Sequence, residues 1–221
     1  MPVTLHVWRV PGHRVGAAML RLALPRRRTG IRFVKFLGTS NGFQTKNADL
    51  TRYAAVTVSE STVDYPAWDR LAVERAVIDL EPLASRGSWS GRKPFEPERG
   101  KAGKSDGMVL ALTRARLRPT RAITFWRAIA PVAREAAAAP GLLAGFGIGE
   151  APIGWQGTVS VWRDAADLTR FAYRQPEHRA VIARTPADRW YAEELFARFA
   201  VRGLTGDTAV LGWLEEGQTK V

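Results

Sequence analysis

The residues best suited to chemistry lie at positions 175–182, which read QPEHRAVI. Pro176 and Glu177 suit the first turn of a helix, because a proline there loses no hydrogen bond and an acidic side chain faces the positive end of the helix dipole. His178 then shares a helix face with Val181 and Ile182, so it should point toward a sheet among apolar neighbours. Such a histidine could be the axial ligand of a flat apolar cofactor such as haem. It could also be a hydrogen-bonded core histidine, which spacing alone favours.

Other kinds of site have less support. The chain has no cysteine, which excludes disulfides, thiolate zinc sites, iron–sulfur clusters and a cysteine nucleophile. His6, on a predicted strand, and His13, in a turn, are expected to be structural or exposed. The G-x-G-x-G sequence at residues 145–149 is not followed by a βαβ unit, so a dinucleotide site is rejected there. Glu193 and Glu194 are predicted on a helix surface, with at most one carboxylate turned inward.

The chain is strongly basic, with 33 lysines and arginines against 21 acidic residues and a formal net charge of +12. This charge could serve nucleic acid, an anionic membrane surface or an acidic ligand. Because the arginines are scattered, a solvated surface is favoured over a nucleic-acid partner. No apolar run approaches the roughly 18 residues of a membrane span, and the N-terminus lacks a leader pattern. We therefore expect a cytoplasmic protein without an integral membrane segment.

Periodicity predicts two units of similar element order. In the first, strands at 3–10, 31–37, 53–58 and 76–83 alternate with helices at 15–24 and 61–73, which gives the ferredoxin-like order βαββαβ. In the second, strands at 108–117, 142–148, 158–162 and 196–201 alternate with helices at 120–137 and 164–173. The domains are accordingly predicted as 1–84, a polar connecting loop at 85–107, and 108–221 with the haem site. Each sheet has an open face to bury, so the two should pack into an α+β barrel-like core.

Four stretches, in order over about residues 30 to 200, together resemble the spheroidene monooxygenase family. They are LASRGSWSG at 83–91 with Pro94 and Phe95; LTRA at 112–115 with Arg118, Pro119, Phe125 and Trp126; GIGE at 147–150; and SVW at 160–162 leading to Phe171, His178, Trp190 and EELFARF at 193–199.

The resemblance implies a haem-dependent monooxygenase with the dimeric α+β barrel fold. It implies b-type haem, with His178 as the ligand of the iron, and insertion of oxygen into a carotenoid or another small hydrophobic secondary metabolite. It also implies a redox partner and leaves a homodimer open. Arg114, Trp126 and Gln156 are candidates for catalytic pocket lining or for contact with the haem propionates, although a structural role is favoured for all three.

Two alternatives remain at this level. One is an oxygenase of the same barrel fold that uses no cofactor and oxidises an electron-rich substrate directly. The other is a non-catalytic protein that binds haem or a lipophile. Both keep the barrel, because a fold does not determine a function.

Overall fold

The computed structural model describes residues 2–23, 29–43, 47–97, 105–150, 155–174 and 190–213. In these ranges eight strands and four helices follow one another. They are β1 (Val3–Arg9), α1 (Val15–Ala23), β2 (Ile31–Asn41), β3 (Ala48–Ser59), α2 (Pro66–Asp69), β4 (Glu74–Gly87), β5 (Val109–Leu117), α3 (Ala122–Ala137), β6 (Leu142–Glu150), β7 (Trp155–Trp162), α4 (Ala165–Arg174) and β8 (Tyr191–Gly206).

The eight strands form one closed antiparallel barrel. Their order around it is β1-β3-β2-β6-β7-β5-β8-β4, and β4 pairs with β1 to close the circle. The first four strands are joined to the last four by two seams, β2 with β6 and β4 with β8. The mixed α+β class and the barrel core expected from the sequence are therefore confirmed.

Strand alternation divides the side chains between the barrel interior and the layer under the helices. On β1, Val3, Leu5 and Val7 point into the interior, whereas His6 and Trp8 point outward. The interior is a continuous apolar core to which all eight strands contribute. Strand β1 is buried on both faces, which explains why its sequence is apolar nearly throughout.

An aromatic cluster fills the outer face of the first four strands. Trp8 stacks on Trp68 of α2 with ring centroids 5.3 Å apart, and Phe36 stacks on Trp68 from the other side at 5.8 Å. Tyr65 meets both Trp8 and Phe36 edge-on. These rings hold α2 against the sheet although this helix has only four residues.

A buried arginine closes one end of the barrel. Arg52 donates from Nη2 to the carbonyl of Ser40 at 2.7 Å and from Nε to Thr39 Oγ1 at 2.9 Å. Its guanidinium lies over the ring of Phe146 with 5.0 Å to the centroid. Val210, in a 3₁₀ turn at Thr208–Leu211, packs into the core at the same end and accepts a bond from Arg52.

Three sequence-based assignments differ from the structure. The helix predicted at 61–73 is confined to Pro66–Asp69. Pro66 stands at its first position, which suits a helix start, and Tyr65 and Trp68 pack into the aromatic cluster. Glu193 and Glu194 lie on strand β8 and not on a helix. The last strand spans Tyr191–Gly206, much longer than 196–201, since it pairs with both β4 and β5.

Gly157 of β7 is required by a close approach of backbones. A Cβ atom there would overlap the Thr113 carbonyl oxygen and lie 3.0 Å from Arg114 Cα. We expect Gly157→Ala to lower the free energy of unfolding by about 1–3 kcal/mol, measured by urea denaturation, because β5 and β7 must separate.

Gly38 of β2 provides the matched control, since the nearest atom to its added Cβ is the Gly149 carbonyl oxygen at 4.0 Å. Gly38→Ala should change stability by less than about 1 kcal/mol. Equal losses for the two variants would contradict the close approach as the cause.

Candidate functional site

The outer face of β5 and β7 carries only short or polar side chains over most of its length. Thr113 and Thr158 face each other and share a hydrogen bond of 2.7 Å. The neighbouring pairs are Ala115 with Gln156 and Ala111 with Ser160. We call these six residues the small-residue face. All except Ser160 are half-buried, whereas the matching face of β1 and β3 is filled by aromatic rings.

Large aromatic side chains stand at both ends of the small-residue face. Trp162 stacks on Phe171 of α4 with centroids 5.2 Å apart. At the other end Phe125 of α3 meets Trp190 at 5.8 Å and Tyr191 at 5.6 Å. Burial raises the pKa of Tyr191, with the Glu194 charge adding to the effect, so its hydroxyl stays protonated at neutral pH. The face therefore has a flat polar floor and apolar ends, which suits a large planar or extended ligand.

Helix α4 is tied to the sheet by a buried carboxylate. Asp167, whose side chain is 1% exposed, pairs with Arg163 at 2.8 Å and with Arg170. Asp167 also fills the space beside Gly141, whose φ of +84° is the left-handed conformation that favours glycine. Since residues 175–182 follow α4 directly, this anchor fixes where the chain leaves the helix toward them.

Arg114 lies on the opposite side of the barrel wall, inside the second end of the barrel. Its Nε donates to Glu150 Oε1 at 3.0 Å, and its Nη1 pairs with Glu193. Lys35 Nζ reaches Glu150 Oε2 at 2.7 Å. We call Lys35, Arg114, Glu150 and Glu193 the mouth network. Its two cations balance its two carboxylates, as burial requires.

The chain after β4 folds over the mouth network. Trp89 is fully buried, donates from Nε1 to Glu150 Oε1 at 2.7 Å and lies under the Arg114 guanidinium at 5.8 Å. Ser88 Oγ and the Gly91 amide both donate to Glu193 Oε1, at 3.0 and 2.7 Å. The mouth network thus holds the loop that closes this end of the barrel.

Glu193 is strongly acidic in this setting. Burial opposes its ionisation, but the bonds from the Gly91 amide, Arg114 and Ser88 outweigh that cost and lower its pKa to about 2. The carboxylate is therefore charged at neutral pH.

The structure separates the residues that the sequence suggested for the pocket. Gln156 belongs to the small-residue face, whereas Arg114 points into the barrel interior. Trp126 lies on α3, and its side chain is outside the described part of the chain. His178 lies in 175–189, which is also outside the described residues.

The two described histidines are placed differently from a cofactor ligand. His6 is 4% exposed, with Trp8 stacked on its ring at 5.4 Å and Tyr65 edge-on at 5.0 Å. Burial lowers the pKa of His6 to about 4, so it is neutral at physiological pH. His13 is exposed in a 3₁₀ turn at Gly12–Arg14. Among the described residues no three histidine or carboxylate side chains gather as a metal site.

Sequence reasoning missed Trp89 and Glu150 as partners of Arg114, and Lys35 as a second partner of Glu150. The available signal was alternation, since Arg114 follows Leu110 and Leu112 on one face of a strand, and Glu150 follows Phe146 and Ile148. A charged residue that continues an inward apolar row requires a partner of opposite charge.

Comparison with known proteins gives matches to spheroidene monooxygenases. The protein of that name from Rubrivivax gelatinosus is 32% identical over 189 residues, which cover 80% of this chain and 71% of the relative. The chain belongs to the spheroidene monooxygenase family. The relatives from Rhodobacter capsulatus and Cereibacter sphaeroides are 36% and 33% identical over 66% and 67% of the chain. The match spans only 61% and 45% of those two relatives' own lengths.

Solved structures show the same fold at much lower identity. A crystal structure of aldoxime dehydratase superposes with a TM-score of 0.53 and 11% identity, covering 90% of this chain and 80% of that one. A second aldoxime dehydratase, in complex with butyraldoxime, gives 0.50 and 10%, covering 90% and 79%. No family model matches the sequence.

Within the described ranges, no helix has the length and apolar character needed to cross a bilayer.

Replacement of Glu193 by glutamine tests the mouth network. We expect Glu193→Gln to lower the free energy of unfolding by roughly 2 kcal/mol at neutral pH, because charged hydrogen bonds to Glu193 are lost. Since the folded pKa is lowered from the ordinary value of 4.5 to about 2, the stability that Glu193 contributes is complete above about pH 5 and is lost toward pH 2. The gap between the wild type and the variant should close over that interval in acid titrations of urea stability.

Glu194, the next residue on β8, serves as the control. It points to the outer face, so Glu194→Gln should leave both stability and its acid dependence nearly unchanged. A gap between wild type and Glu193→Gln that does not depend on pH between 5 and 2 would contradict the assigned pKa.

Proposed function

We propose that this protein is a haem-dependent monooxygenase that inserts oxygen into an extended hydrophobic substrate such as a carotenoid. The observation that carries the proposal is its membership of the spheroidene monooxygenase family together with the small-residue face under α3 and α4. Because the chain spans 61% of one curated relative and 45% of another, activity and substrate are inferred by combining that membership with the geometry.

The described residues fit a flat cofactor on the small-residue face. Thr113, Ala115 and Thr158 are small and half-buried, so a planar group meets few obstructing side chains there. Arg198 neighbours Ala111 on this outer face, and its Nε is buried without a hydrogen-bond partner among the described residues. A carboxylate at the edge of the cofactor, such as a haem propionate, would satisfy that donor.

His178 is the residue that would hold the haem iron. It follows α4 in the sequence, and α4 packs on β5 and β7, the strands of the small-residue face, with Asp167 as its anchor. His6 is an unsuitable ligand because aromatic rings cover it, and His13 is exposed on a turn in the other half of the barrel. When bound, haem supplies the iron-centred activation of oxygen.

The residues of this chain would then bind and orient the substrate and exclude water from it. The aromatic pairs Trp162 with Phe171 and Phe125 with Trp190 provide apolar surfaces for a polyene at the two ends of the face. Gln156 offers an amide for a polar group of the substrate or cofactor. Arg114 is assigned a positioning role, since it supports strand β5 from the interior through Glu150 and Glu193.

A monooxygenation also requires a source of electrons. One oxygen atom enters a C–H bond to give an alcohol, and the other leaves as water with two electrons and two protons. An external electron donor of the ferredoxin or flavoprotein class must supply those electrons. A further hydroxylation at the same carbon, followed by loss of water, gives a ketone.

The two halves of the barrel are proposed to be tandem ferredoxin-like repeats. Strand order supports this, because β4-β1-β3-β2 in the first half corresponds to β8-β5-β7-β6 in the second. The halves divide between the end of β4 at Gly87 and the start of β5 at Val109, so the connection predicted at 85–107 begins after β4 and not at residue 85. We propose that the second repeat carries the cofactor and that aromatic packing has filled the same face of the first.

Hemin titration of the purified protein tests whether His178 is the ligand of the haem iron. Wild type reconstituted with hemin should show a Soret band that shifts on reduction under carbon monoxide. His178→Ala should weaken hemin binding by more than about tenfold, since the bond to the iron is lost, with the circular dichroism spectrum unchanged. His13→Ala is the control and should bind hemin as the wild type does. Absence of a Soret band in reconstituted wild type would favour the cofactor-free barrel oxygenase.

A bulky residue introduced on the small-residue face tests whether the cofactor binds there. Ala115→Phe should reduce hemin affinity by about tenfold or more, because the ring occupies the space proposed for the planar group. Ala192→Phe introduces the same ring at an exposed position of β8 and should bind hemin normally. Equal affinity in the two variants would place the cofactor elsewhere.

A further inference from the structure

Helix α1 presents an apolar surface to the outside. Ala18 is buried against the aromatic cluster, with Val15 and Leu22 packed beside it. The outward positions are nonetheless all apolar as well. They are Gly16, Ala17, Met19, Leu20 and Ala23, of which Met19 is 49% and Leu20 is 65% exposed. A surface helix normally carries charged or polar residues on that side, so α1 has the composition of a helix that is covered on both faces.

The same part of the protein shows other exposed hydrophobic residues. The four large hydrophobic side chains exposed among the described residues are Met19, Leu20, Leu50 and Val73, all in the first half of the barrel. Leu50 and Val73 flank the turn into α1, because the Val10 amide bonds to Thr51 and the Val73 amide bonds to Arg9. Exposed apolar residues that gather on one side of a protein mark an interaction surface.

The charge of this region identifies the partner. The sequence around α1, residues 10–31, contains five arginines and no aspartate or glutamate. Arg14 and Arg21 belong to the turn before α1 and to α1 itself, and the sequence places Arg26, Arg27 and Arg28 directly after it. Apolar residues with basic flanks are the pattern that binds the headgroup region of an anionic membrane.

We propose that α1 docks this protein onto an anionic lipid surface, with Met19 and Leu20 entering the boundary between headgroups and acyl chains. A nucleic acid fits less well, because its phosphates contact basic side chains and leave Met19 and Leu20 uncovered. A second copy of the chain would bring two basic segments together. The inference does not rest on the oxygenase chemistry, since it concerns binding alone.

The attachment of α1 makes it a rigid docking element. Arg14 donates from Nη1 to the carbonyl of Arg70 at 2.8 Å, and the helix packs through Ala18 on the cluster that contains Trp68. The apolar side chains are therefore presented without the ordering cost of a disordered segment.

Co-sedimentation with vesicles tests the docking. The full chain should bind phosphatidylcholine vesicles that contain phosphatidylglycerol, and should bind pure phosphatidylcholine vesicles at least about tenfold more weakly, with added salt reducing the binding. Met19→Glu/Leu20→Glu should lower the partition coefficient by about tenfold or more. Met19→Ser/Leu20→Ser, which changes no charge, should also weaken binding, which separates the apolar contribution from the electrostatic one.

The matched control adds the same two charges to another helix. Ala166 and Thr169 are exposed on α4, and Ala166→Glu/Thr169→Glu should retain most of the vesicle binding. Equal loss in the two glutamate variants, or a wild type that does not sediment with anionic vesicles, would overturn the proposal.

Two other outcomes would assign the face to another partner. A wild-type dimer that Met19→Glu/Leu20→Glu converts to monomers, seen by light scattering, would assign the face to a second copy. Stronger binding to duplex DNA than to vesicles, unchanged in Met19→Ser/Leu20→Ser, would assign the basic region to nucleic acid.

Discussion

The closure of the barrel is the constraint on which the rest of the structure depends. Two seams, β2 with β6 and β4 with β8, join the halves and leave no strand edge open. Once closed, every strand has one face in a shared interior and one face toward a helix layer. The interior must then be filled at both ends. Arg52 fills one end, and the loop held by Arg114 fills the other, each through a guanidinium that is hydrogen-bonded and paired with a carboxylate.

The two outer faces of the barrel are packed differently although the strand order is the same in both halves. In the first half, Trp8, Phe36, Tyr65 and Trp68 pack so closely that little solvent reaches the sheet. In the second half, threonine, alanine and glutamine leave the sheet half-exposed beneath α3 and α4. Because the strand order is the same in both halves, the difference lies in the side chains of the strands and in the helices that pack on them.

The sequence allowed the element order and the barrel-like core to be predicted because alternation and helical spacing are local properties. It did not reveal how far each strand extends, since the length of β8 depends on pairing with both β4 and β5. It also failed to pair Arg114 with Glu150 and Glu193, because residues 36 and 79 positions away meet only after closure. Gln156 was found as a candidate by resemblance, but only strand register shows that it and Arg114 face opposite sides.

Strand β5 carries the ion pairs on one side and the small-residue face on the other. Thr113 and Ala115 point outward on either side of Arg114, whose guanidinium lies on the inner side of the barrel wall. Alternate residues of β5 therefore serve opposite sides of the barrel wall: Leu110, Leu112 and Arg114 fill and close the interior, whereas Ala111, Thr113 and Ala115 face the outer layer. Substitutions at the outward positions can change what contacts the outside of the sheet without disturbing the ion pairs that keep the barrel closed.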